Sequence, residues 1–280
     1  MPTVSLVIAV YNQVQCTKPC LESIARCTPL PHEMILVDNG STDGTKELLA
    51  TVKATAITNA SNLGCARAWN QGIRASKGDV VGILNNDIVV TPGWLEGLLA
   101  YMDRTGHALV SPAAREGPLD YDLDSYAREY TRRCAGAVRT GEAYAPCMLI
   151  RREVFDRIGL FDEEFIRGGG EDIDFFWRMK AAGYSIGMTG SVLIHHIGMV
   201  TQDAIKKTES KTYVIENVAC FQRKWKRTMR GNWFSRRWDD FRASWRRRYE
   251  RLRYGHTLVE KPSGNGGRRQ QEGRQSPRVP

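Results

Sequence analysis

Residues 34–52 read MILVDNGSTDGTKELLATV, and this stretch decides the fold because a strand, a turn and a helix follow one another without a break. Met34–Val37 is an apolar run of strand length. The segment Asp38–Gly44 contains residues that favour turns and helix caps, and the helical stretch Thr45–Val52 follows it directly. The pattern predicts one strand–turn–helix unit of an α/β protein.

The same alternation continues on both sides of this unit. Val4–Val10 is an apolar, β-branched run that ends at Tyr11-Asn12, and Val80–Leu84 ends at Asn85-Asn86-Asp87 after a predicted helix over 66–75. Strands that alternate with helices predict a mainly parallel central sheet flanked by helices. Ligands of such sheets gather beyond the carboxyl ends of the strands, where these polar residues lie.

The middle of the chain is less regular. Cys147–Arg151 is predicted to be a strand, and Glu153–Ile158 and Asp172–Ala182 are predicted to be helices. Residues 105–147 have no assigned structure and are interpreted as a loop beside the predicted site.

Composition and charge predict one main domain with a basic appendage. The chain has 280 residues, 42% of them hydrophobic, which is enough for one substantial core. The net charge is +9, and residues 221–254 alone hold 13 basic against 3 acidic side chains. We therefore expect a main α/β domain over 1–216, a basic aromatic helical extension over 217–256 and a disordered tail over 257–280.

The basic extension has two interpretations. Arg and Lys alternate there with aromatic residues, which is typical of a helix at a membrane interface. One helical face is predicted to carry Trp238, Phe241, Trp245, Tyr249 and Leu252. This face either docks on an anionic membrane or packs on the main domain; nucleic-acid binding is not expected, because basic aromatic residues alone are a weak signal for it.

The cysteines and the N-terminus bear on localisation. The seven cysteines lack metal-binding spacing, and the sequence shows neither a signal-peptide pattern nor an apolar run long enough to span a bilayer. The sequence therefore predicts a cytoplasmic protein, with peripheral contact to the inner face of the membrane through residues 221–254.

The strand ends carry candidate binding residues. Asp38 can accept hydrogen bonds from a base or ribose beside the flat ring of Tyr11, although a turn-capping aspartate is the alternative. Asn85-Asn86-Asp87 offers oxygen ligands for Mg²⁺ or Mn²⁺ and a diphosphate, or else an Asx-rich helix cap. His195-His196 follows a predicted strand, where an imidazole is a candidate metal ligand or a structural side chain.

Two acidic residues follow a glycine run. Gly168–Gly170 leads into Glu171 and Asp172 at the start of a predicted helix. Successive helical side chains point about 100° apart, so only one of the two faces a ligand. That one is interpreted as a general base, and the alternative is a plain helix cap at Asp172.

Seven blocks occur in one order along residues 3–201: VSLVIAVYN, ILVDNGSTDGT, NLGCARAWNQGI, GDVVGILNNDIVVTPGWLEGLL, LIRREVFDRIGLFDEEF, GGGEDIDFFWRMKAAGY and LIHHIG. This order resembles the family 2 glycosyltransferases, particularly the bacterial rhamnosyltransferase-like branch with the GT-A fold. The resemblance implies an inverting, metal-dependent enzyme that uses Mn²⁺ or Mg²⁺ and a UDP- or dTDP-type sugar donor. It also implies a glycan or lipid-linked acceptor in cell-surface polysaccharide or glycolipid assembly.

The resemblance also assigns roles by position. It implies that Asp172 is the catalytic base with Glu171 beside it, and that Asp87 binds the metal with His195 or His196. The spacing to Gly198 slightly favours His195. Around the nucleotide sugar the resemblance places Tyr11, Asn12, Asp38, Asn62, Arg67, Asn70, Asn85 and Asn86.

Two positions depart from the family pattern. The metal motif is Asn-Asn-Asp rather than Asp-x-Asp, which leaves one anionic ligand from that loop, and Ala9 replaces the usual proline of the first strand. The alternative function is an inactive sugar-nucleotide-binding scaffold with a basic tail that binds nucleic acid or membrane. A nucleotidyltransferase is not favoured, because the expected Gly-rich phosphate loop near the first strand is missing.

Overall fold

The computed structural model describes residues 2–198, 212–226 and 233–261, which form a mixed sheet covered by helices on both faces. The strands of these residues are β1 (Val4–Val10), β2 (Glu33–Asp38), β3 (Thr55–Thr58), β4 (Val80–Asn85), β5 (Ile88–Val90), β6 (Leu109–Glu116), β7 (Val138–Thr140), β8 (Cys147–Arg151), β9 (Ile186–His196) and β10 (Val259–Glu260). The helices are α1 (Val14–Cys27), α2 (Thr45–Ala50), α3 (Cys65–Ala75), α4 (Trp94–Thr105), α5 (Leu123–Cys134), α6 (Arg152–Ile158), α7 (Glu171–Ala181), α8 (Thr212–Trp225) and α9 (Trp233–Tyr254).

The order of the strands brings the predicted polar clusters to one edge of the sheet. The main path runs β3-β2-β1-β4-β8-β6-β9-β5. Strands β1, β2 and β4 are parallel to one another, β8 is antiparallel to both β4 and β6, and β9 is parallel to β6. The carboxyl ends of β1, β2, β4, β6 and β9 therefore share one edge, which we call the carboxyl edge.

Alternation along β1 explains why its sequence is apolar throughout. Leu6 and Ile8 belong to the core layer that contains Trp94 of α4, whereas Val7 belongs to the layer that contains Phe175 of α7. Successive side chains of a strand point to opposite faces, so a strand covered on both sides needs apolar residues at every position.

The region 105–147 differs from its interpretation as a loop. It contains β6 in the middle of the sheet, the helix α5 and the short strand β7. The apolar run of β6 is interrupted by Ser111 and Pro112, which weakens the strand pattern in the sequence. Helix α5 begins after Asp122, whose side chain accepts a hydrogen bond from the Ser125 amide at 3.1 Å.

The folded chain extends beyond the predicted boundary at residue 257. Strand β10 pairs in parallel with β6, and Leu258 before it is fully buried in the core. The prediction of disorder is therefore wrong for residues 257–261, and the rest of the predicted tail, residues 262–280, lies outside the described residues. Within the described part of the chain, no helix combines the length and apolar character that a membrane span requires.

Candidate active site

Asp38 ends β2 at the carboxyl edge, and only one of its two carboxylate oxygens is hydrogen-bonded in the described residues. Its Oδ1 accepts a hydrogen bond from the Ser41 amide at 2.9 Å, which is the predicted turn-capping contact. Its Oδ2 is buried without a hydrogen-bond partner in the described residues. A buried oxygen without a partner costs about 1–3 kcal/mol, so this atom suits the hydroxyl or N–H donor of a ligand.

Tyr11 and Asn12 lie beside Asp38, because Val10 of β1 pairs with Asp38 of β2. Tyr11 is half-buried just beyond the end of β1. Asn12 has a φ of 54°, and its Oδ1 accepts a hydrogen bond from the Thr42 amide at 2.7 Å. The Asn12 side chain therefore holds the turn after β2.

Asn62 is engaged in a polar network that sequence analysis missed. Asn39 donates through Nδ2 to Asn62 Oδ1 at 2.9 Å, and the Gly64 amide donates to the same oxygen at 2.9 Å. Asn39 Oδ1 accepts from the Leu63 amide at 3.1 Å. The network ties the end of β2 to the start of α3, and it gives Asn62 a structural role.

Asn70 and Arg67 on α3 have different surroundings. Asn70 is fully buried, and its amide bonds to the backbone N–H and C=O of Phe161 at 3.0 and 2.8 Å and to Glu163 at 2.8 Å. Its amide oxygen and nitrogen are thus engaged, which argues against the predicted contact with the donor. Arg67 is exposed and lies 3.5 Å from a Glu163 oxygen, so its guanidinium remains accessible.

Asp87 and His196 form a buried pair at the carboxyl edge. Antiparallel pairing of β5 with β9 brings them together, and the Ile197 amide donates to the Asp87 carbonyl at 2.9 Å. His196 Nε2 lies 3.3 Å from Asp87 Oδ1 and has no hydrogen-bond partner among the described residues. A carboxylate oxygen and an unpartnered imidazole nitrogen at this separation fit a shared divalent cation.

The neighbouring candidates do not join this pair. His195 points to the opposite face of β9, where its Nδ1 lies 2.9 Å from the Tyr121 hydroxyl. The spacing in the sequence favoured His195 as the metal ligand, whereas in the structure it is His196 that lies beside Asp87. Asn86 is buried and donates to Thr17 Oγ1 of α1 at 2.8 Å, which leaves Asn85 as the half-buried amide of the motif.

Further ligands are not grouped around Asp87. Among residues 2–198, 212–226 and 233–261, no three His, Cys, Asp or Glu side chains lie close enough together to hold a metal ion by themselves. Sites for Mg²⁺ often take one or two carboxylates and complete the shell with water and substrate phosphates. The pair therefore fits a cation that arrives with a diphosphate.

Glu171 and Asp172 begin α7 and have separate environments. Glu171 is buried, accepts a hydrogen bond from Cys65 Sγ at 3.0 Å and also accepts one from the Gly169 amide. Burial, and then the adjacent Asp172 charge, raise the pKa of Glu171 to about 7. Asp172 is only half-buried, and loss of solvent raises its pKa as well.

Asp172 lies inside the first turn of α7, and Gly170 occupies the cap position. The Asp172 carboxylate accepts a hydrogen bond from the Ile173 amide of that turn at 2.8 Å. Asp172 is therefore not the cap residue itself, although it satisfies one of the amides at the helix start. Asp172 is the more exposed of the two carboxylates, and the two point in different directions because successive helical side chains are about 100° apart.

The glycine run before α7 is held from the C-terminal part of the chain. Gly168, Gly169 and Gly170 have φ values of 115°, 115° and 113°, a region that glycine adopts readily. Asn217 of α8 accepts from the Ile166 amide at 2.9 Å and donates to the Gly169 carbonyl at 3.1 Å. Asn217 falls in the extension predicted over 217–256, and nothing in the sequence links it to this loop.

Comparison with known proteins decides the family. The model of glycosyl transferase family 2 matches residues 5–159, which contain β1, β2, β4 and the Asn-Asn-Asp motif. The chain belongs to this family. Family 2 membership makes the protein a glycosyltransferase, and it confirms the family resemblance found in the sequence.

Two relatives show which known proteins the sequence of this chain is similar to. Glycosyltransferase AglE of Haloferax volcanii is 29% identical over 74% of this chain and 71% of its own length. The N-acetylglucosaminyl-diphospho-decaprenol L-rhamnosyltransferase of Mycobacterium tuberculosis is 26% identical over 63% of this chain and 70% of its own length.

Solved structures confirm the GT-A fold class. The mannosyltransferase PcManGT from Pyrobaculum calidifontis, in complex with GDP-Man and Mn²⁺, has a TM-score of 0.58 at 18% identity. GalNAc-T7 with UDP, GalNAc and Mn²⁺ has a TM-score of 0.57 at 18% identity. These matches cover 79% and 70% of this chain, but only 64% and 43% of the two solved chains.

Proposed function

We propose that this glycosyltransferase is metal-dependent and moves one sugar, with inversion, from a UDP- or dTDP-type donor to an acceptor hydroxyl. The observation that carries the proposal is the Asp87–His196 pair, in which an unpartnered imidazole nitrogen lies 3.3 Å from a carboxylate oxygen. The unused Oδ2 of Asp38 on the same edge supports a nucleoside site beside it.

In the proposed mechanism the acceptor hydroxyl gives its proton to Asp172 while its oxygen attacks the anomeric carbon. The bond from that carbon to the diphosphate oxygen breaks in the same step, and one displacement inverts the configuration. Asp87 and His196 would hold Mn²⁺ or Mg²⁺, which neutralises charge on the leaving diphosphate when bound. Tyr11 and Asp38 would orient the nucleoside, and Glu171 would support the start of α7.

The names of relatives support the substrate class. One is a rhamnosyltransferase that acts on a decaprenol-linked sugar, and another is the O-antigen biosynthesis protein RfbC of Myxococcus xanthus, 26% identical over 70% of this chain. We therefore propose a glycan or lipid-linked acceptor in cell-surface polysaccharide or glycolipid assembly. Two solved neighbours contain Mn²⁺ with a nucleotide or a nucleotide sugar, which supports a divalent cation here.

A thermal-shift panel of UDP-, dTDP- and GDP-sugars tests the donor and metal sites. One nucleotide family is expected to raise Tm by about 5–10 °C when Mn²⁺ is present, because a ligand at 100 times its Kd adds about 2.7 kcal/mol of stability. Asp87→Ala should remove the Mn²⁺ dependence, and Asp38→Ala should remove the response to the nucleotide.

The exposed Asp156→Ala variant is the matched control and should respond like the wild type. A flat panel from folded protein would contradict the donor site. Donor binding without hydrolysis or transfer would favour the inactive scaffold.

The proposed function includes peripheral contact with an anionic membrane through α9. Phe241, Trp245, Tyr249 and Leu252 are 53–79% exposed, so much of this apolar face is open to solvent. The opposite face of α9 is anchored, since Glu250 is buried and lies 2.8 Å from Arg139. The side chain of Trp238 lies outside the described residues.

The charges on α9 match this orientation. Exposed arginines lie on either side of the apolar face, and they are Arg242, Arg248, Arg251 and Arg253. Each basic residue near an anionic leaflet adds about 1 kcal/mol, and an apolar face enters the boundary between headgroups and acyl chains. The charge and the apolar residues therefore favour the same partner, an anionic bilayer.

Sedimentation with vesicles tests the membrane contact. The full chain is expected to bind phosphatidylglycerol vesicles at low salt and to bind pure phosphatidylcholine vesicles weakly. Trp245→Ser with Leu252→Ser should weaken binding at least about tenfold, since each apolar side chain contributes on the order of 1.5 kcal/mol or more. Ile215→Ser, on an equally exposed apolar residue of α8, is the control and should leave binding unchanged. Equal binding of the double variant would contradict the contact.

A further inference from the structure

A chain of hydrogen bonds lies behind the Asp87–His196 pair. The Tyr144 hydroxyl is 2.6 Å from His196 Nδ1 and 3.0 Å from Glu116 Oε1. The Tyr144 ring meets the imidazole edge-on at 81°, with centroids 5.7 Å apart. Glu116 ends β6, His196 ends β9, and Tyr144 lies between β7 and β8, so three separate segments fix the arrangement.

Tyr144 is itself held firmly. It is 8% exposed, and its amide donates to Ser111 Oγ at 2.8 Å. Its hydroxyl therefore has a fixed position between the imidazole and the carboxylate. A buried polar chain of this kind is costly unless each member is satisfied.

The direction of each hydrogen bond follows from the groups present. A carboxylate only accepts, so Tyr144 must donate its proton to Glu116. The Lys261 ammonium lies 3.4 Å from the other Glu116 oxygen and forms an ion pair with it. The Tyr144 oxygen then accepts from His196, and this requires a proton on Nδ1 of the imidazole. A neutral imidazole with that proton presents a bare lone pair at Nε2.

That lone pair faces another acceptor. Nε2 is buried without a hydrogen-bond partner and lies 3.3 Å from Asp87 Oδ1. Two acceptors in contact repel unless a cation lies between them. We propose that Tyr144 and Glu116 are positioning residues that hold His196 in the Nδ1–H tautomer and so direct Nε2 at a cation shared with Asp87. The cation half of this inference rests on the proposed function.

The tautomer can be measured without metal or substrate. Long-range proton–nitrogen spectra of the five histidines, with His196 assigned through His196→Gln, are expected to show Nδ1 protonated and Nε2 bare in the full chain at neutral pH. Tyr144→Phe should abolish this preference while the protein stays folded. Tyr130→Phe removes another buried hydroxyl, bonded to the Thr257 carbonyl at 2.9 Å, and should change nothing at His196.

Titration with Mn²⁺ alone, followed by electron paramagnetic resonance, gives the second readout. Tyr144→Phe and Glu116→Gln are each expected to weaken Mn²⁺ binding by about 10–100-fold, as loss of a partner behind a ligating histidine does elsewhere. Glu116→Gln provides the test if Tyr144→Phe does not fold. Tyr130→Phe should bind Mn²⁺ like the wild type.

The outcomes separate the two proposals. An Nε2–H tautomer in a wild type that binds Mn²⁺, or unchanged tautomer and affinity in both variants, would overturn the positioning role alone. The Nδ1–H tautomer in a wild type that binds no Mn²⁺ would overturn the metal-dependent function and the cation half of this inference.

Discussion

The Asp172→Asn variant is expected to lose between about 10² and 10⁴ in kcat, the contribution that a general base makes to proton transfer. The substitution keeps the size of the side chain and its acceptor oxygen, which bonds to the Ile173 amide at 2.8 Å. It removes the negative charge and with it the ability to take the acceptor proton. The KM for the donor should stay within a few-fold of the wild type, because Asp172 is not assigned to donor binding.

The pH profile distinguishes a base from a structural carboxylate. Because loss of solvent raises the pKa of Asp172, the acidic limb of the wild-type kcat profile should lie above the usual aspartate range, with the rate falling as pH drops through it. The asparagine variant should lack that limb. Near-normal turnover in Asp172→Asn would remove the assignment of Asp172 as the base, and Asp156→Asn, at an exposed position of α6, is the matched control.

Glu171 is less suited to be the base, although its pKa of about 7 lies near neutrality. Its side chain is buried, and its two oxygens accept from Cys65 Sγ and from the Gly169 amide. An acceptor hydroxyl would have to displace one of these contacts. The raised pKa of Glu171 therefore reflects its burial beside a second carboxylate. Holding two carboxylates together at the start of α7 costs electrostatic free energy.

The sequence was sufficient for the features that depend on local pattern. The strands β1 and β8 have the predicted limits, and α3 begins one residue before the predicted position. Periodic apolar runs and turn residues specify such elements directly. Membership of the family followed from the order of the motifs, because seven blocks together constrain far more than any single one.

Features that depend on pairing across the sheet could not be predicted. His195 and His196 are adjacent in sequence, and only the register of β9 against β5 decides which of them meets Asp87. The sequence suggested that Asn70 contacts the nucleotide sugar, but in the structure its side chain bonds to the backbone of Phe161. Tyr144 and Glu116 belong to the stretch without predicted structure, so no sequence signal connected them to His196.

The Asn217→Ala variant is expected to lower kcat by about 10²-fold, comparable to the loss that a misplacement of about 1 Å produces in a catalytic geometry. Asn217 bonds to the Ile166 amide and to the carbonyls of Ile166 and Gly169, and it is buried at 2% exposure. The loop that Asn217 holds contains three glycines, and glycine restricts the backbone less than any other residue does. Without the amide, Asp172 would lose the constraint on the turn that precedes it.

The control for this variant removes a contact of α8 that does not touch the loop. The Trp225 indole N–H donates to Asp174 Oδ1 at 2.8 Å, so Trp225→Phe weakens the docking of α8 on α7 and leaves Asn217 in place. Both variants should lower Tm by a few degrees, since each loses a hydrogen bond worth about 1 kcal/mol or more. Only Asn217→Ala should lower kcat strongly.

Comparison of the two variants decides whether the C-terminal helices belong to the catalytic machinery. Equal losses of stability with normal kcat in Asn217→Ala would mean that α8 only covers the domain. A selective loss of kcat would mean that Asn217, a residue about fifty positions later in the chain, fixes the conformation of the glycine run. The base at the start of α7 would then depend on a helix that lies outside the segment matched by the family.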